Sequence, residues 1–241
     1  MHPNFYKMKR VFIALLSVSL LACGTEKKTE SSESATLNSD STTIEVSIIN
    51  QGETHFASLK QLTNGGDNAE AYWSFDDSKL VFQVTNPKWE LECDQIFVFD
   101  WQNDNLMENM PQMVSTGLGR TTCSYFLPGD TTIVYASTHL ADSACPPSPE
   151  RTNGRYVWPI YESFDIFTAD LEGNIINQLT KEPGYDAEAT VSPKGDKIVF
   201  TSLRTGDLEL FTCDIDGSNI KQITFDLGYD GGAFFSPDGI K

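Results

Sequence analysis

Acidic side chains recur in this sequence at fixed distances from a repeated turn. The turn falls at Ser74, Leu127, Ser192 and Ser236. Six residues ahead of it stand Asn68, Thr121, Asp186 and Asp230; four ahead stand Glu70, Cys123, Glu188 and Gly232. The strings Gly184-Tyr185-Asp186 and Gly228-Tyr229-Asp230 repeat one motif. Calcium takes several hard oxygen ligands at once, so Asp186, Glu188 and Asp230 form a candidate metal set, with Glu70 beside them. The same acids suit a basic peptide or a sugar. They equally suit a structural use, in which each carboxylate caps its own loop or bonds the backbone of the next unit. Two arginines are the cationic candidates. Arg120 leads into one of the repeated units, and Arg204 reads as a salt bridge or cap between units.

Nucleophilic and phosphate-cradling motifs do not appear. The chain has no G-x-S-x-G elbow, no Walker loop, no G-x-G-x-x-G and no H-E-x-x-H. His55 and His139 are isolated from each other and from other metal-ligating types. The net charge of −17 repels phosphate backbones and argues against nucleic acid as a partner. Beyond Cys23, four cysteines remain, at 93, 123, 145 and 213, with no C-x-x-C among them. Four cysteines allow three pairings. The reading favours Cys123 with Cys145, Cys93 being the competing partner, and takes Cys213 as a buried core residue.

These residues are positioned by an internal repeat. Each unit carries an apolar stretch, the turn, and a second apolar stretch such as Lys197-Ile198-Val199-Phe200. In Ser-Pro-x-Gly, proline pre-sets φ and glycine takes the left-handed position, so the turn closes a β-hairpin. A third strand follows at Gln95–Asp100, Asp165–Asp170 and Glu209–Asp214. A fourth runs through Ile175–Leu179 or Ile220–Ile223 and ends in Gln-Leu-Thr or Gln-Ile-Thr. Four short antiparallel strands per unit make a propeller blade. Insertions lengthen two units, near Asn86–Leu91 and across Leu140–Ser163; the second is rich in aromatic residues.

The third unit, Ser192-Pro193-Lys194-Gly195-Asp196-Lys197-Ile198-Val199-Phe200-Thr201-Ser202 with Arg204, Gly206-Asp207 and Leu210-Phe211, resembles the repeat of TolB-type β-propellers. Asp214-Ile215-Asp216-Gly217-Ser218-Asn219 continues the likeness. The resemblance implies an all-β fold of four-stranded antiparallel blades, about three of them plus the first strand of a fourth, where the family's ring has six. The missing blades then come from a longer chain or from a partner. It also implies that Glu70, Arg120, Asp186, Glu188 and Asp230 ring the mouth of the central channel.

The N-terminus reads separately. Lys7, Lys9 and Arg10 precede the apolar run Val11–Ala22, too short to span a bilayer comfortably. Leu20-Leu21-Ala22-Cys23-Gly24 resembles the bacterial lipobox, which implies acylation of Cys23. Residues 1–22 are thus a signal peptide, 23–42 a polar disordered tether, and 43–241 the propeller body. Thr43–Ile49 alternates like a strand. The expected function is a non-catalytic binding module at the bacterial cell envelope, lipid-anchored at the outer membrane, for a protein, peptide or glycan. The alternatives are a metal-dependent lyase or hydrolase working through the acidic mouth, with calcium as its cofactor, and a truncated product without function.

Overall fold

The recurrent turn is what organises the chain. In the computed structural model, which describes residues 48–103, 109–147, 149, 152–154 and 159–241, the turn closes in the same way four times. The N–H groups of Ser74, Leu127, Ser192 and Ser236 donate to the carbonyls of Lys79, Thr132, Lys197 and Lys241 at 2.7–2.9 Å. The left-handed position is taken by Gly195 (φ 70°) and Gly239 (φ 63°), and by Asp77 (φ 58°) and Asp130 (φ 55°) where the sequence departs from the pattern. Short Asx side chains tolerate this conformation better than most. At Gly195 a side chain is excluded twice over, because a Cβ there would overlap the Pro128 ring of the preceding turn.

Each turn joins the first two strands of a sheet. The first sheet holds β1 (Asp67–Trp73), β2 (Lys79–Thr85), β3 (Gln95–Asp100) and β4 (Gln112–Met113). The second holds β5 (Thr121–Phe126), β6 (Thr132–Ser137), β7 (Asp165–Asp170) and β8 (Ile175–Gln178). The third holds β9 (Asp186–Val191), β10 (Lys197–Ser202), β11 (Glu209–Asp214) and β12 (Lys221–Gln222). Every pairing is antiparallel between sequence neighbours. These are three propeller blades, and Ser236–Lys241 closes a fourth turn of the same kind, with no strand assigned over 230–241. The third strands have the bounds expected from sequence. The outer strand β4 was not legible, because Gln112-Met113-Val114-Ser115 lacks the Gln-Leu-Thr ending.

That ending has a structural purpose. Thr180 Oγ1 accepts from Ile166 N at 2.9 Å, and Thr224 Oγ1 from Leu210 N at 2.8 Å. Ser115 Oγ does the same for Ile96 N at 2.9 Å. Each hydroxyl satisfies a third-strand N–H where the short outer strand has stopped, which a buried donor requires.

Alternation along the strands sends the side chains to two faces. Val81, Ile96 and Val98 of the first blade pack against Phe126, Ile133 and Phe167 of the second. Leu80, Phe82 and Val84 point to the opposite face with Phe97 and Phe99. Val134 and Ile166 meet Ala189, Ile198, Phe200 and Cys213 between the second and third blades. Cys213 is therefore a core residue, as expected. Blade-to-blade register is set by one repeated bond: Thr121 N to Asp94 O (3.1 Å), Asp186 N to Phe164 O (3.0 Å) and Asp230 N to Leu208 O (2.9 Å). The position six residues ahead of the turn is thus a backbone clasp to the preceding blade.

The turns between third and fourth strands are built around Asp100, Asp170 and Asp214. Each carboxylate accepts side-chain bonds, from Asn103, Asn174, and Lys197 with Asn219 respectively. These bonds hold all three carboxyls below the usual carboxylate value. A depressed folded pKa contributes stability that is complete above the unfolded value of about 4 and is lost as pH falls through the folded one. Urea midpoints are expected to drop below about pH 4 in the wild type. An Asp100→Asn/Asp170→Asn/Asp214→Asn chain should start lower at neutral pH and show a flatter acid limb. An unchanged limb would remove these turns from the acid response.

The chain divides into Met1–Ser47 and Ile48–Lys241, and all described residues belong to the second unit. The expected signal peptide, Cys23, the expected tether and Thr43–Ser47 lie outside the described residues. Ile48 and Ile49 form no strand. No helix among the described residues is long and apolar enough to cross a membrane.

Candidate binding site

Each inner strand carries a bulge four residues ahead of its turn. Glu70, Cys123, Glu188 and Gly232 have φ of 52°, 42°, 58° and 62°. At the first three the strand register slips, between Ala69 and Tyr72, between Thr122 and Ser124, and opposite Val199 and Thr201. A bulge of this kind re-aims one side chain out of the sheet's alternation. A non-glycine residue in left-handed backbone costs about 1–2 kcal/mol. The fold holds this conformation with glutamate, cysteine and glutamate, and with glycine only at position 232.

The structure brings the expected residues near the axis but not into one cluster. Glu188 is engaged by its neighbours. Its carboxylate accepts from Thr201 Oγ1 (2.7 Å), from Gly232 N of the next segment (2.8 Å) and from Tyr229 Oη. Asp186 is buried and turned away, where one Nη of Arg204 donates to both its oxygens at 3.0 and 3.1 Å. Asp230 is held by its backbone N–H, which donates to Leu208 O at 2.9 Å. Among the described residues no three His, Cys, Asp or Glu side chains are grouped to hold a metal. The proposed Asp186, Glu188 and Asp230 calcium set is corrected accordingly: a buried ion pair and a cross-blade cap consume the first two carboxylates.

Two further expectations change. Arg204 acts within its own blade, not between blades: it bonds Asp186 and Ser202, and lies 5.2 Å and 5.1 Å from the ring centroids of Phe200 and Phe211. The disulfide joins Cys93 to Cys145, with Cα atoms 5.6 Å apart, and Cys123 and Cys213 are free thiols. Cys123 sits at the inner-strand bulge, where burial and the charges of Glu70 and Glu188 push its thiol up to about 12. Cys145 lies in the long insertion, which reaches back over the first blade. The favoured Cys123–Cys145 pairing is thus replaced by one with Cys93, the competing partner.

Glu70 and Arg120 do share a site. A cleft of about 820 Å³ opens where the inner strands enter, lined among others by Asn68, Glu70, Asp94, Arg120, Thr122 and Tyr161. Arg120 Nη1 pairs with Asp94 Oδ2 at 2.7 Å, and its guanidinium stands 5.9 Å from the Tyr161 ring centroid. Its Nε is buried and has no hydrogen-bond partner among the described residues. Tyr161 Oη donates to Pro147 O at 3.0 Å, so the insertion forms one wall, tied to the opposite wall by Cys93–Cys145. Among the described residues Glu70 bonds only Tyr72 Oη, the neighbour two residues on. The chemistry on offer is hydrogen bonding, charge and ring stacking. Asp94 and Gln83 were missed from sequence, whereas Tyr161 belongs to the aromatic-rich insertion, whose rings suit stacking on a ligand. Asp94 adjoins Cys93, and only the disulfide marks that corner.

An Agrobacterium tumefaciens protein assigned as TolB has the same architecture. Its TM-score to this chain is 0.51 at 20% identity, over 71% of this chain and 56% of that one. The fold is a TolB-like β-propeller. TolB from Acinetobacter baumannii matches with a TM-score of 0.49 and 20% identity, over 72% of this chain and 36% of that one. The chain therefore spans about half or less of the length of these two structures. No family model and no curated protein matches it.

Proposed function

We propose that this propeller is a non-catalytic binding module of the bacterial cell envelope, and that the cleft at Glu70, Arg120 and Tyr161 grips a segment of a partner protein. The observation that carries the reading is the cleft itself, of a size for several residues of a ligand. Its lining supports a peptide. Carboxylates, an arginine with a spare donor, amides, hydroxyls and an aromatic wall match the alternating donors, acceptors and side chains of an extended chain. The left-handed glutamate at position 70 fits that use, since strain kept at a functional mouth is a common pattern. The envelope setting, lipid attachment at Cys23 and outer-membrane placement rest on the lipobox-like N-terminus. A glycan is the other ligand this lining accommodates.

The reading also has further blades covering the fourth segment, from the same polypeptide or from a second one. Equivalent residues support this: Tyr185 is 1% exposed, whereas Tyr229 is 53% exposed, and Leu227 is 96% exposed. A photo-reactive phenylalanine placed at Tyr161 in the full chain tests the function in cells. The expected product is a discrete adduct with an envelope protein, lost when Glu70→Lys and Arg120→Glu are combined. Adducts only with glycan would shift the ligand class, and a yield no higher than from the same group at Lys88 would sink the cleft as a site.

A further inference from the structure

A second pocket lies where the hairpin turns gather, and it is chemically unlike the cleft. It is a bowl of about 420 Å³ walled by Tyr72, Trp73, Phe75, Tyr125, Phe234 and Phe235. Trp73 and Phe75 are 48% and 42% exposed, so their rings are open to a ligand. Tyr72 packs against Tyr125 and Phe234 with centroids 5.2 and 5.6 Å apart, which joins the rings of three units into one surface. Trp101 meets Trp73 edge-on at 5.9 Å and is pinned by a 2.9 Å bond from its Nε1 to Asp77 O. Asp77 also lines the bowl, and its carboxylate makes no hydrogen bond or ion pair among the described residues. No Lys, Arg or His is among the lining residues.

This combination selects for a cation. Aromatic faces carry negative quadrupole potential, and an unpaired carboxylate at their rim adds a full negative charge. A sugar would need several directional bonds, and this bowl offers few free polar groups to make them. An arginine side chain meets all the terms at once, because its planar, weakly hydrated guanidinium stacks on rings and pairs with carboxylate. The net charge of −17 steers a basic partner toward the molecule. We infer that the turn-side pocket is a second recognition site, which takes an arginine side chain of a partner protein by stacking on Trp73 and Phe75 and pairing with Asp77.

The test is a calorimetric titration of the full chain with acetyl-Gly-Arg-Gly-amide and with the same peptide carrying citrulline, the neutral isostere. The arginine peptide is expected to bind about tenfold more tightly. Asp77→Asn keeps a residue suited to left-handed backbone, and is expected to erase most of that preference with urea stability unchanged. Trp73→Leu should weaken both peptides. Equal affinity for the two peptides, no saturable binding, or full binding by the Asp77→Asn chain would each overturn the inference.

Discussion

Arg204→Ala is expected to lower folding stability by about 3–5 kcal/mol, the cost of leaving a buried charge without its partner. Asp186 is 2% exposed, and both its oxygens depend on one Nη of Arg204. The guanidinium also covers Phe200 and Phe211, so packing is lost along with charge. Urea unfolding followed by circular dichroism measures the loss. The double variant Asp186→Leu/Arg204→Met is expected to recover most of it, because replacing a buried pair with apolar side chains removes the desolvation penalty of both ions. A loss below about 1 kcal/mol for Arg204→Ala would show that water already reaches Asp186.

Removing the Cys93–Cys145 disulfide is expected to have an effect of similar size by a different route. The bridge closes a sequence separation of 52 residues. Restricting a loop of that length in the unfolded chain is worth about 4 kcal/mol in the chain-entropy view. For a body of this size that corresponds to a fall of roughly 10 °C in Tm for the Cys93→Ser/Cys145→Ser chain. Peptide mapping without reductant should recover Cys93 linked to Cys145 and leave Cys123 and Cys213 free. A Cys123–Cys145 peptide would overturn the assignment. The same variant bears on the cleft, since the insertion wall at Pro147 and Tyr161 loses its covalent tie to the Asp94 corner.

Much of the fold was legible because the repeat writes its physics in short range. The turn at Ser192-Pro193-Lys194-Gly195 needs one residue in left-handed backbone, and an apolar run stands on either side of it. Together these fix a hairpin before any other contact is known. The Thr of Gln-Leu-Thr was noticed as a marker only. Its use, accepting the Ile166 and Leu210 N–H groups, appeared when the strands were seen side by side. The positions four ahead of the turn stood out as a register. The reason is a backbone feature, a left-handed bulge in each inner strand, which residue types such as Glu, Cys and Glu do not announce.

Sequence by itself determined the blade: strand order, turn chemistry, and the burial of Cys213. Those follow from interactions between residues close in the chain, which composition and period report directly. Only the tertiary structure decided where each carboxylate went. Asp186 was taken by Arg204, Glu188 by Thr201 and the Gly232 backbone, while Asp77 was left free beside exposed rings. It also decided that Cys145 meets Cys93 and not Cys123. A charge is satisfied by whichever partner the packing of blades brings within about 3 Å. That distance is set by how one sheet lies against the next, and no spacing along the chain encodes it.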